Sequence, residues 1–114
     1  MWSNIEKIPV IERGSLIIDR QCSSVIINGK TIFLHAKEMQ LLCLLAEHPG
    51  WVLTKKQIFD SIYEDSLEID DFYINNRIYC LVRNLRKKIE INSKRPRYIQ
   101  TIKNIGYRFT ASEE

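Results

Sequence analysis

The stretch from Phe72 to Ile91 constrains this chain more than any other. At 100° per residue, with Ile78 as origin, Ile74, Leu81, Val82, Leu85 and Ile89 fall within about 60° of it on one narrow stripe. The pattern predicts an amphipathic helix about 30 Å long, whose apolar edge must lie on a core supplied by the rest of the chain. Burying six such side chains contributes on the order of 10 kcal/mol before chain entropy opposes it. The opposite face carries Tyr73, Asn76, Cys80, Arg83, Asn84 and Lys87, with Arg77, Tyr79 and Arg86 on its flanks. A solvated face ordinarily pairs acids with bases at i,i+4 spacing, yet no acid occurs between Phe72 and Ile89.

The elements that build that core are legible on either side. Ile8–Ile11, Leu16–Asp19, Val25–Ile27 and Thr31–Leu34 are short, β-branched runs separated by Arg13-Gly14, Gln21 to Ser24 and Asn28-Gly29. They read as four strands of an antiparallel meander, spanning about residues 8–34. Asn28-Gly29 suits a type I′ hairpin, whose two central residues need positive φ. From Lys37 the period lengthens: Met39, Leu42, Cys43 and Ala46 predict a helix over 37–47, stopped by His48-Pro49-Gly50. Val52-Leu53 reads as an extended link. Thr54-Lys55-Lys56-Gln57 then matches a capping box that opens a helix over 55–63. Asp70 or Asp71 caps the long third helix, 72–91. Ile99–Ile102 and Tyr107–Thr110, around Lys103 to Gly106, close the chain as a β-hairpin. The order predicts an α+β fold, a winged helix-turn-helix: a four-stranded antiparallel sheet, three helices and a hairpin wing over 98–110. With 114 residues, 45% of them hydrophobic, the chain suits one domain, 1–114, with its own core.

Charge sharpens the reading. Residues 1–54 hold five basic and five acidic side chains, which cancel. Residues 55–76 set Lys55 and Lys56 against six acids, a net −4. Between 77 and 108 ten basic side chains face only Glu90, a net +9. That is the footprint expected of a polyanion-binding surface. Asn and Arg hydrogen-bond base edges, and an α-helix fits the major groove. Lys103, at the tip of a narrow ribbon, is placed to reach the minor groove.

Other chemistry is poorly supplied. Cys80 has only His35 and His48 as bases, both distant in sequence, and neither a Gly-rich phosphate loop nor an HExxH pair occurs. Asp70-Asp71 is explained by helix capping. Cys22, Cys43 and Cys80 are odd in number, without CxxC spacing, so neither a disulfide framework nor a zinc site is expected. No enzymatic activity, cofactor or metal is predicted. For Cys80, on the polar face, a thiol that makes binding sensitive to oxidation is the minority reading beside an ordinary reduced thiol. Trp2, Trp51, Phe59 and Phe109 read as packing residues. No apolar run approaches the roughly 18 residues of a membrane span and no leader opens the chain, so a cytosolic location is expected. The rival reading from a different class is a winged helix that meets an acidic protein partner through its basic face.

Four blocks carry a family resemblance: Leu41-Leu42-Cys43-Leu44-Leu45-Ala46-Glu47-His48-Pro49-Gly50; Val52-Leu53-Thr54 to Ile58; Val82-Arg83-Asn84-Leu85-Arg86-Lys87-Lys88-Ile89-Glu90; and Arg97 to Ile102 with Gly106-Tyr107-Arg108-Phe109. In this order and spacing the chain resembles the OmpR/PhoB effector domain, the winged-helix output half of two-component response regulators. The resemblance implies promoter DNA as partner, read by the third helix through Asn76, Arg77, Cys80, Arg83, Asn84, Arg86 and Lys87, with Lys103 toward the minor groove. It also implies phosphate contacts from Lys55, Thr101 and Tyr107. Glu64, Asp65, Glu68 and Asp70 correspond to the loop that meets RNA polymerase in relatives, and two copies are expected head-to-tail on DNA. Cys80-Leu81-Val82 and Lys103-Asn104-Ile105-Gly106 depart from the family's usual Val-His-Ile and Arg-Gly-x-Gly. His35 stands where a capping Thr is typical. A receiver would need about a hundred further residues, so the expectation is either an excised output domain or a regulator that works without phosphorylation control.

Overall fold

A computed structural model describes residues 10–63 and 69–110. Its first half is the expected meander, β1 (Val10–Arg13), β2 (Leu16–Asp19), β3 (Ser24–Ile27) and β4 (Lys30–Phe33), paired antiparallel in chain order. Residues 8 and 9 of the anticipated first strand lie outside the described residues. Asn28 and Gly29 adopt φ of 52° and 81°, the two positive values a type I′ turn requires, and this fixes Ile27 opposite Lys30. Register then decides the faces. Leu16, Ile18, Val25 and Ile27 all point inward and are buried, because residues two apart share one side of a strand.

Three helices follow: α1 (Ala36–Ala46), α2 (Lys55–Ile62) and α3 (Asp71–Ile89). Helix α1 starts one residue earlier than predicted, because the Glu38 carboxylate accepts the His35 N–H at 2.9 Å and so satisfies a donor at the helix start. Its far end is held by Arg13, whose Nε donates to the Ala46 carbonyl at 3.1 Å. The capping box of α2 forms as read: the Gln57 N–H donates to Thr54 Oγ1 at 3.0 Å and the Thr54 N–H to Gln57 Oε1 at 2.9 Å. Asp70 caps α3 by accepting the Tyr73 N–H at 2.8 Å. The long helix ends at Ile89 and not at Ile91. Glu90 leaves helical geometry (φ −91°, ψ 137°), and its carboxylate turns instead to the chain beyond.

The C-terminal hairpin consists of β6 (Ile99–Ile102) and β7 (Gly106–Phe109). Here the sequence reading needs a correction. Where Val52-Leu53 was anticipated as an extended link and Thr54 as a cap alone, Leu53–Thr54 is a short strand, β5, that pairs with β7, with Leu53 opposite Tyr107 and Thr54 opposite Gly106, and completes a three-stranded sheet. Gly106 permits it. A Cβ there would stand 1.9 Å from the Leu53 carbonyl oxygen, closer than any side chain tolerates. One hydrophobic cluster unites the inner sheet face, the three helices and the wing, and Ile74, Ile78, Val82, Leu85 and Ile89 of α3 all lie within it.

Candidate nucleic-acid interface

With its apolar stripe in the core, α3 has its other side uncovered. Asn76, Arg77, Cys80, Arg83, Asn84 and Lys87 are all exposed, as are Tyr73 and Tyr79 beside them. From Asn76 to Lys87 the run covers about 16 Å along the axis, longer than the roughly 12 Å width of a major groove. Among the described residues no strand lies over it. The side chains present donors, the Asn amides both donors and acceptors, at the spacing of successive helical turns.

The start of this face is fixed by aromatic packing. Phe59 and Tyr63 of α2 and its end stack at 4.8 Å between ring centroids, and Phe59 meets Tyr73 edge-on at 6.3 Å. Arg77 lies over Tyr63, its Cζ 5.4 Å from the ring centroid. The interaction with Tyr63, helped by Tyr73, pushes the Arg77 guanidinium up from its ordinary value. Lys37 approaches the same ring at 4.8 Å while its Nζ donates to the Ile62 carbonyl at the end of α2.

At the other end of α3 three charged residues are engaged within the molecule, Lys88 with α1, and Arg86 and Glu90 with the wing strand. Lys88 donates to Glu38 Oε1 of α1 at 2.8 Å. Arg86 turns to the wing, with Nη2 donating to the Ile99 carbonyl at 2.7 Å and to Thr101 Oγ1 at 2.8 Å. Burial pulls its guanidinium below the usual arginine value, against the opposing influence of Tyr107 and Glu90. Glu90 accepts the N–H groups of Arg97, Tyr98 and Ile99 at 2.6, 2.9 and 2.9 Å. Of the residues expected at the interface, Arg86 is thus engaged within the molecule. Tyr107 is 3% exposed, under Arg86 at 5.7 Å from its Cζ, so it lies beneath the surface rather than on it. Thr101 is exposed, and Lys55 is partly exposed at the first position of α2.

Lys103 is exposed in the turn of the wing beside Asn104, whose φ is 66°. Asp70 serves as the α3 cap, while Glu64, Asp65 and Glu68 lie outside the described residues. Sequence reasoning missed the Glu90 clamp and the Glu38–Lys88 bond. The available signal was Glu90 itself, the lone acid in a basic segment. Among the described residues no three His, Cys, Asp or Glu side chains gather to hold a metal ion, and no helix is long and apolar enough to cross a membrane.

The family described as "Transcriptional regulatory protein, C terminal" matches residues 29–109. Over 99 residues the chain is 40% identical to the uncharacterized transcriptional regulatory protein YcbL of Bacillus subtilis, covering 87% of this chain and 42% of that protein. Among solved structures, the response regulator DrrB of Thermotoga maritima, an OmpR/PhoB homologue, superposes with a TM-score of 0.75 at 34% identity, covering 96% of this chain and 48% of that one. The RstA DNA-binding domain of Klebsiella pneumoniae, solved in complex with the RstA box, superposes with a TM-score of 0.78 at 25% identity, covering 92% of this chain and all of that one. The chain spans about two-fifths of the length of the curated relatives it matches.

Proposed function

The chain belongs to the family of C-terminal domains of transcriptional regulatory proteins, of the OmpR/PhoB type, and on that premise we propose that it binds double-stranded promoter DNA sequence-specifically, as the output domain of a response regulator. The observation that carries the reading is the uncovered face of α3: Asn76, Arg77, Cys80, Arg83, Asn84 and Lys87 are exposed on the side opposite the apolar stripe of Ile74, Ile78, Val82, Leu85 and Ile89, which is buried. In this reading the helix enters the major groove and its Arg and Asn side chains hydrogen-bond base edges. Lys103 at the wing turn reaches the adjacent minor groove. Lys55 and Thr101 contact phosphates, where they position the domain without reading sequence.

Two further partners belong to the same proposal. Two copies bind head-to-tail on direct repeats, and the acidic segment ahead of Asp70 meets RNA polymerase. Selection of preferred sites from random duplex DNA is expected to return a direct repeat. On the selected duplex, Arg83→Ala is expected to lower affinity by ~1–3 kcal/mol and to relax one base preference, whereas Lys55→Ala weakens selected and random duplex about equally. Equal losses from Arg83→Ala on both duplexes overturn its role at a base edge. A protein that enriches no sequence is instead an interaction module whose basic face meets an acidic protein.

A further inference from the structure

Arg86 and Glu90 stand four residues apart on α3 and at its C-cap, hence on one side of the helix. Both reach the same strand. Glu90, 7% exposed, accepts three consecutive main-chain N–H groups, from Arg97, Tyr98 and Ile99. Arg86 donates through both Nε and Nη2 to the Ile99 carbonyl, at 3.2 and 2.7 Å, and through Nη2 to Thr101 Oγ1. Ile99 is therefore held at its N–H by a carboxylate and at its carbonyl by a guanidinium. Such charge-assisted bonds are the strong ones, the more so away from water.

Apolar packing of Tyr98, Ile99, Tyr107 and Phe109 seats the base of the wing in the core, but such burial is non-directional and sets an angle only loosely. The wing's attachment through β5 is two residue pairs long, and an isolated two-stranded hairpin is marginal in water. Lys103 lies four residues beyond Ile99, about 13 Å away along the strand. A hinge error of about 10° at Ile99 displaces the tip by roughly 2 Å, more than a recognition contact tolerates.

We infer that Arg86 and Glu90 are positioning residues that lock the wing to the recognition helix and so hold Lys103 in register with the groove face. The inference rests on the DNA-binding reading and changes the part Arg86 plays in it, from touching DNA to holding what touches DNA.

The test is a double-mutant cycle on the selected duplex. Glu90→Gln keeps the side chain's shape but turns an amide NH2 toward at least one of the three N–H donors. Lys103→Ala is expected to weaken binding by ~10-fold in the wild type and by less than ~2-fold in the Glu90→Gln background. Arg83→Ala is expected to keep its full effect in both, which a general loss of structure would not allow. If Glu90→Gln shows no cooperative thermal transition, Arg86→Lys takes its place, since it retains the charge but lacks the fork that spans Ile99 and Thr101. An undiminished Lys103 effect in the variant overturns the inference and leaves the DNA-binding reading standing. A Lys103→Ala substitution without effect in the wild type overturns the wing contact and the inference together. Parallel loss of the Arg83 effect assigns Glu90 to the fold at large, and also overturns the positioning role.

Discussion

Cys80 lies exposed on the open face of α3, Cys22 is exposed in the meander and Cys43 is half-buried on α1. Hydrogen bonding and charge repulsion from Asp19 push the Cys22 thiol up. Burial pushes Cys43 up, only partly opposed by Arg20. A raised value lowers the thiolate fraction at neutral pH, and the thiolate is the species that reacts. Iodoacetamide at pH 7 is therefore expected to label exposed Cys80 before half-buried Cys43, and DNA added beforehand to slow that labelling. Peptide mapping after short exposure checks it; faster labelling of Cys43, or no protection by DNA, contradicts the placement of Cys80 in the groove. At this scale the sequence was a partial guide. It placed Arg83, Asn84 and Lys87 on the open face through helical spacing alone, but spacing carries no information about where Arg86 turns its fork. That depends on a strand thirteen residues further on, reached only in the folded chain.

At the scale of elements, legibility follows the length of the pattern. Five turns of 3.6-residue periodicity made α3 readable, and the Thr54–Gln57 capping box made the start of α2 readable to the residue. Strand β5 has two residues, too few for any period, and its existence depends on a glycine far along the chain, Gly106. Gly106→Ala sets a methyl group against the Leu53 carbonyl, so β5 and β7 must part or shift. The substitution is expected to lower stability by about 1–3 kcal/mol, read as an earlier midpoint in urea with unchanged slope. An unchanged midpoint contradicts the close approach. The end of α3 was misjudged by two residues for a related reason: Ile91 continues the apolar sequence, but Glu90 satisfies more donors by leaving the helix than by extending it. Helix ends are decided by such local competition rather than by periodicity.

Across the whole molecule, charge is segregated as the sequence implied, though some of the basic side chains are hydrogen-bonded within the fold and so are not open to direct contact. Lys88 is bonded to Glu38, Arg86 to the wing, and Arg108 Nε to Gln100 Oε1 at 3.1 Å. The formal +9 of residues 77–108 thus overstates the surface available to a polyanion. Arg77, Arg83, Lys87 and Lys103 are exposed on α3 and the wing turn, and Lys94 and Arg95 are exposed in the segment that joins them. The most direct measurement is a map of backbone amide shifts on titrating the labelled protein with its selected duplex, beside a scrambled duplex of the same composition. Shifts concentrated on Asn76 to Lys87 and around Lys103, saturating with the selected duplex at concentrations where the scrambled one leaves them small, are the expected result. Shifts confined to β1 to β4, or identical for the two duplexes, contradict the assignment of α3 as a reader of sequence.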